Sequence, residues 1–209
     1  MFDWLRRRAT TPPAPMAEPL PPMQEYAKEF AAAWEWSVQQ GLRAPPVQLM
    51  VRQDCVDWTR AEQALQRFIG PYRDEEIATQ ALAINDALLP VLSAACGIPF
   101  QLTLGWYELS GKSSYKHGPE LPERLLKEGI AEIIADGLPM HIWLTSPAFE
   151  IIDVSLPTQL AKPLEDTNLL RQILYYSSET TKLSVIYHPT VVGDDFLVRI
   201  GAALPIGAR

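Results

Sequence analysis

The chain changes from helical to strand-like patterning at Gly97, and this change constrains the fold more than any other feature. A long, largely apolar segment from about Asp74 to Ala95 predicts a helix, which Pro90 should bend or break. The segment that follows, FQLTLGWYEL, alternates apolar and polar residues in its first half and is rich in strand formers. Helices should therefore gather in the N-terminal half and strands in the C-terminal half. This segregation predicts an α+β domain whose antiparallel sheet packs against N-terminal helices.

Other helices are predicted from apolar periodicity and from the glycines and prolines that end them. Thr59 and Glu62 match a capping box, so that the second of these helices should begin directly after Thr59. The predicted helices run from about Glu25 to Gln40, Arg60 to Phe68, Pro122 to Ala135 and Thr167 to Tyr176.

Further strands are predicted where short apolar runs are rich in β-branched and aromatic residues. One lies in the N-terminal half and the others follow the helix that ends near Gly137. The predicted segments are VQLMV (47–51), HIWLTS (141–146), FEIIDVSL (149–156), LSVIYH (183–188) and FLVRIGA (196–202).

The first 24 residues predict a disordered tail, followed by one domain over residues 25–209. Six of the first 22 residues are proline, which favours an extended, solvated chain over packed structure. Ahead of these prolines, MFDWLRRR joins three apolar residues to three arginines. This segment is either a frayed terminus or a short docking motif for a partner groove or an acidic membrane surface.

Composition narrows the classes of function. The chain has 25 acidic and 18 basic residues, a net charge of -7 and a pI near 5.0, which argues against a broad nucleic-acid surface. No apolar run reaches the length of a transmembrane helix, because polar residues and proline interrupt each one. Two cysteines make neither a disulfide framework nor a four-ligand metal cluster, so that we expect a cytoplasmic protein. We expect no cofactor and no bound metal, since the common phosphate-loop and metal motifs are missing.

The stretch MHIWLTSPAFEIIDVSLP carries the candidate chemistry. A cysteine nucleophile needs a base to take its proton and a third group to orient that base. His141 and Asp153 lie 12 residues apart on two successive predicted strands, a spacing compatible with side-by-side placement in an antiparallel pair. His141 and Trp143 should share one face of the sheet, since strand side chains alternate with a period of two.

Two segments between about residues 80 and 157 resemble a known superfamily. HIWLTSPAFEIIDVS is similar to the His-x-Trp and Asp strand pair of transglutaminase-like and papain-like cysteine enzymes. ACGIPFQLTLGW resembles the place in transglutaminase-like proteins where a core helix ends in Gly-Ile-Pro and a strand follows. The resemblance implies a transglutaminase-like or papain-like fold, with His141 as general base and Asp153 as its orienting acid.

The nucleophile does not carry over from this resemblance. The superfamily places its cysteine near the start of the helix that ends in Gly-Ile-Pro, where this chain reads ATQALAIND. Cys55 precedes a predicted helix whose N-terminus could lower a thiol pKa, which makes it the one plausible replacement. Its alternative interpretation is a small half-buried apolar residue. Cys96 is interpreted as a core residue, because it lies at the opposite end of the long helix.

Two classes of function remain open at the level of sequence. One is a catalytically silent relative that binds a protein or peptide through the cleft of the fold. The other is an amide-bond hydrolase or acyl transferase that uses Cys55, His141 and Asp153. The other two histidines are interpreted as structural: His117 in a solvated loop that could line a cleft, and His188 at the end of a strand.

Overall fold

A computed structural model describes residues 22–44, 56–133, 138–176 and 185–202. The predicted tail as far as residue 21, with its MFDWLRRR segment, lies outside these residues, and so does the predicted strand at 47–51. Helix α1, Pro22–Gln39, begins three residues before the predicted start and ends just before Gly41, which has a left-handed φ of 72°. The helix predicted from about Glu25 to Gln40 is therefore confirmed.

Helix α2, Trp58–Ile69, is confirmed, but the capping box predicted for it is wrong. Asp57 precedes the helix, and its carboxylate accepts a hydrogen bond from the backbone N–H of Arg60. Aspartate is a strong capping residue in its own right, so that the helix begins two residues earlier than Thr59 would place it.

The long apolar segment forms two helices, α3 (Asp74–Thr79) and α4 (Ala81–Cys96), rather than one. The break lies at Gln80, whose backbone leaves the helical region. Pro90 lies inside α4, so that the helix does not break there. Helix α4 ends at Gly97, which adopts a left-handed conformation with a φ of 69°, the usual C-terminal signal.

Three predicted elements in the C-terminal half are corrected. The helix expected from Pro122 to Ala135 divides at Gly129 into α5 (Glu120–Glu128) and α6 (Ile130–Ile133). The helix expected over Thr167–Tyr176 is instead a short 3-10 turn, Thr167–Leu169, followed by strand β5, Leu174–Tyr176. The strand expected in FLVRIGA is instead a helical turn, α8, Phe196–Arg199.

The described part of the chain forms a six-stranded sheet in which every pairing is antiparallel. Strand β1 is the longest and lies between β6 on one edge and both β2 and β3 on the other. Strands β4 and β5 follow beyond β3. The strands are β1 (Gln101–Leu109), β2 (Lys112–Ser114), β3 (His141–Thr145), β4 (Ile151–Asp153), β5 (Leu174–Tyr176) and β6 (Val185–Val192).

The two faces of this sheet bury different kinds of side chain. On the first, here called the helix face, Leu104, Ile142 and Ile152 pack in one core with residues of α2 and α4. On the second, here called the aromatic face, Trp143 and Tyr187 pack against α1 in a separate core rich in rings. The predicted α+β architecture, an antiparallel sheet on N-terminal helices, is confirmed, with α1 and α4 on opposite faces.

The strand predicted in FEIIDVSL is shorter than expected. It stops at Asp153, and helix α7, Leu156–Ala161, begins at the last residue of the predicted segment. Among the described helices, none combines the length and apolar character that a bilayer crossing requires.

Candidate functional site

Strands β3 and β4 form the hairpin that carries the predicted pair. Leu144 pairs with Ile152 and Thr145 with Ile151, so that Asp153 lies opposite Trp143 and diagonally across from His141. Side chains at diagonal positions share a face and lie within reach of each other when they are long. The turn of the hairpin is ordered by Ser146, whose hydroxyl donates to Glu150 at 2.6 Å.

The predicted contact between His141 and Asp153 is present. His141 Nε2 lies 2.5 Å from Asp153 Oδ2, and both residues are buried, His141 with 2% of its surface exposed. Tyr187 donates its hydroxyl hydrogen to the same oxygen at 2.9 Å. The other oxygen, Oδ1, accepts from the backbone N–H groups of Ser155 and Leu156 and from the Ser155 hydroxyl. One carboxylate thus joins β3, β6 and the start of α7.

Asp153 remains ionised in this environment. Burial alone raises the pKa of its carboxyl, but the charge and hydrogen bond of His141 and the N–H groups of Leu156 and Ser155 hold that pKa below its ordinary value. An ionised carboxylate only accepts hydrogen bonds, so that His141 Nε2 must be the donor. Nδ1 is then the ring nitrogen that is left to accept a proton, the arrangement of a general base that a carboxylate orients.

Aromatic rings surround the His141 imidazole. Tyr107 meets it edge-on at a centroid distance of 5.2 Å, and Trp143, Tyr115 and Tyr187 lie at 5.9, 6.1 and 6.3 Å. Three of these four rings are buried, whereas Tyr115 is 42% exposed. Solvent therefore reaches this described cluster on its Tyr115 side.

Trp143 is held in place by a polar contact and by a glycine. Its indole N–H donates to the Tyr26 hydroxyl at 2.9 Å, and Tyr26 in turn bonds Thr145 at 2.7 Å. Gly105 lies opposite His141 on β1, and a β-carbon there would collide with the His188 carbonyl and lie 3.0 Å from Trp143 Cη2. The absence of a side chain at position 105 thus leaves room for the Trp143 ring.

The structure describes Cys96 but not Cys55. Cys55 lies outside the described residues, so that its predicted role as nucleophile stays a prediction. Val56, the next residue, donates its backbone N–H to Glu150, at the turn end of the hairpin rather than at the His141 end. Cys96 is partly buried at the end of α4 and packs on the helix face, opposite to the face that His141 occupies.

His117 and His188 are both more restrained than the sequence indicated. His117 Nδ1 donates to the Tyr115 carbonyl at 2.7 Å and Nε2 lies 3.2 Å from the Thr190 hydroxyl, so that its loop is tied to β6. His188 lies within β6 rather than at its end, stacks on Trp106 at 3.8 Å and bonds a glutamate of α1. The interpretation of His188 as structural agrees with these contacts.

Tyr107, Tyr115 and Tyr187 are the site residues that the sequence did not reveal. Each lies far from His141 in the chain, and each belongs to a strand or loop whose neighbours are set by sheet register. Alternation along LSVIYH could have placed Tyr187 on a buried face, but no local signal gives its partner. Among the described residues, no group of three or more histidine, cysteine or acidic side chains could hold a metal ion.

Comparison with known proteins adds no assignment to this geometry. No protein-family model, curated protein or solved structure matches the chain. The function must therefore be argued from the site itself.

Proposed function

We propose that this chain is a catalytically silent domain of transglutaminase-like or papain-like type that binds a protein or peptide partner. In this proposal, the His141–Asp153 pair has a structural role in the aromatic core. The cytoplasmic location expected from the cysteine content remains part of the proposal.

The observation that carries this proposal is the enclosure of His141. Within the described residues, its imidazole contacts one carboxylate and four aromatic rings, and its hydrogen bond is to Asp153. Among the described residues, the neighbours of this oriented base are rings and a carboxylate rather than the thiol that covalent catalysis needs.

The hydrogen bonds of Asp153 supply the structural role. Five bonds converge on its two oxygens, from His141, Tyr187, Ser155 and Leu156. They connect the centre of the sheet to its β6 edge and to the first turn of α7. A buried ion that is satisfied in this way is costly to disturb, so that the pair can persist in a domain without chemistry.

The face of strands β1 and β6 opposite to the Tyr115 ring supports partner binding. Ile186 of β6 is 53% exposed, and Trp106 lies diagonal to it on the same face of β1. Lys116 places its ammonium group 4.6 Å from the centre of the Trp106 ring. An exposed aliphatic side chain next to a partly exposed indole and a stacked cation is typical of interface centres. We call Lys116, Trp106 and Ile186 the Trp106 surface.

A second candidate is an active cysteine enzyme, an amide-bond hydrolase or acyl transferase that uses Cys55, His141 and Asp153. The observation in its favour is the contact of His141 Nε2 with Asp153, which leaves Nδ1 as the ring nitrogen that a thiol could approach. A neutral imidazole oriented in this way would accept a proton from that thiol. Amide chemistry of this kind needs no cofactor.

Site-specific photocrosslinking tests the binding proposal. A benzophenone amino acid at position 186, introduced into the full chain and expressed in its native host, should form discrete adducts with a partner. The same group at Leu164, which is 49% exposed and lies in the turn after α7, is the matched control.

Competition separates specific from adventitious adducts. Excess unlabelled wild-type protein should suppress the adduct from position 186, and a Trp106→Ala variant should suppress it less. Equal adducts from positions 186 and 164, or equal competition by both proteins, would contradict the proposed surface.

A further inference from the structure

Tyr115 occupies the boundary between His141 and solvent. Strand β2 ends at Ser114 and β3 begins at His141, and both pair with the same edge of β1. Tyr115 follows Ser114 directly, and its ring lies nearly parallel to the His141 imidazole, with an interplanar angle of 18°. The other three rings around His141 are buried, so that Tyr115 is the described ring through which the site faces outward.

The backbone of Tyr115 is strained. Its φ is 60°, in the left-handed region that bulky side chains rarely adopt. An exposed aromatic residue gains little from burial that would offset this strain. Residues held in such conformations persist where surrounding contacts fix them, and they cluster at ligand clamps and switches.

His117 provides the contact that fixes this conformation. Its Nδ1–H donates to the carbonyl of Tyr115, and Nε2 is anchored to Thr190 on β6. Lys116, which lies between Tyr115 and His117 in the chain, places its ammonium group over Trp106 on the other face of the sheet. Two consecutive residues are thus pinned on opposite faces, and the carbonyl of the first is bound by a histidine two residues later.

We propose that Tyr115 is the gate of the His141 site and that His117 is the positioning residue that holds this gate closed. A ligand that approaches the His141 imidazole from the Tyr115 side displaces the Tyr115 ring, and release of the strained backbone favours that displacement. The inference concerns access to His141 from solvent, and it does not depend on whether the domain is silent or active.

Carbethoxylation of His141 by diethyl pyrocarbonate, followed at peptide level by mass spectrometry at neutral pH, tests the gate. The reagent needs an unprotonated ring nitrogen that it can reach. Tyr115→Ala and Tyr115→Gly should each raise the rate at His141 by about tenfold, which corresponds to loss of a closed state favoured by about 1.4 kcal/mol. Glycine serves as the second variant because it tolerates a φ of 60° without strain.

Tyr115→Phe is the matched control, since it keeps the ring and should leave the rate unchanged. His117→Ala should raise the rate as well, although Tyr115 is still present. Unchanged rates in Tyr115→Ala and Tyr115→Gly would overturn the gate, and an unchanged rate in His117→Ala alone would overturn the role of His117. The measurement needs neither a partner nor a reactive thiol, so that it stands or fails independently of the proposed function.

Discussion

Asp153 accepts a hydrogen bond from His141 at 2.5 Å and holds the first turn of α7 with its other oxygen. The same carboxylate therefore fixes the orientation of a histidine and the end of a strand. Substitution of a side chain with both roles should lower the stability of the domain more than most other substitutions.

Removal of the carboxylate tests this sensitivity. Asp153→Ala should lower the free energy of unfolding by about 3–5 kcal/mol, because it leaves buried donors of His141, Tyr187 and Leu156 without their acceptor. Urea denaturation followed by circular dichroism measures the change. Asp57→Ala is the control, since Asp57 caps α2 in an exposed position and its loss should cost only about 1 kcal/mol. Similar costs for the two variants would show that the buried pair has no special role.

Acid should reveal the lowered pKa of Asp153. A carboxyl whose pKa is lower in the folded state contributes stability that is present above its unfolded pKa of about 3.9 and is lost as the pH falls towards the folded value. The difference in unfolding free energy between wild type and Asp153→Asn should be constant above about pH 5 and shrink below about pH 4. A difference that stays constant to about pH 3 would mean that Asp153 does not titrate as this geometry requires.

The sequence predicted the contact between His141 and Asp153 better than it predicted the elements around it. His141 and Asp153 could be paired because period-two alternation and a spacing of 12 residues are local properties of one hairpin. Tyr187 and Tyr115 could not be assigned to this pair, because their approach depends on register between distant strands. The same limit explains the misassigned segment Phe196–Arg199, where an apolar run of strand type packs as a helical turn.

Gly105 should not tolerate a side chain. Gly105→Ala places a methyl group against the His188 backbone and the Trp143 ring, so that the sheet or the indole must shift. Overpacking of this kind should lower the free energy of unfolding by about 1–3 kcal/mol or more, and Trp143 fluorescence should change as well. Gly97→Ala is the control, because its β-carbon would meet open space and only its φ of 69° is unfavourable, at about 1 kcal/mol. A smaller loss of unfolding free energy in Gly105→Ala than in Gly97→Ala would contradict the packing described for Trp143.

Tyr26→Phe should weaken the contact between α1 and the aromatic face. The loss leaves the buried Trp143 N–H without an acceptor and should cost about 1–3 kcal/mol at neutral pH. Burial raises the pKa of Tyr26, so that its contribution is present below the unfolded pKa of about 10 and is lost as the pH rises above it.

The free-energy difference between wild type and Tyr26→Phe should therefore shrink above about pH 10. Tyr72→Phe, beside Phe68 on the helix face, gives a matched loss of one hydroxyl. An equal pH dependence in the two variants would argue against a buried Tyr26.

The rate of Cys55 alkylation by iodoacetamide tests the central claim, that the domain is catalytically silent, most directly. Peptide-level mass spectrometry reads Cys55 and Cys96 separately in wild type and in His141→Gln. The account predicts slow alkylation of Cys55 at the same rate in both proteins. The rate should follow the ionisation of an ordinary thiol and be half-maximal at about pH 8.5. Rapid alkylation below pH 7 that falls about tenfold or more in His141→Gln would contradict the account and identify a working thiol–imidazole pair.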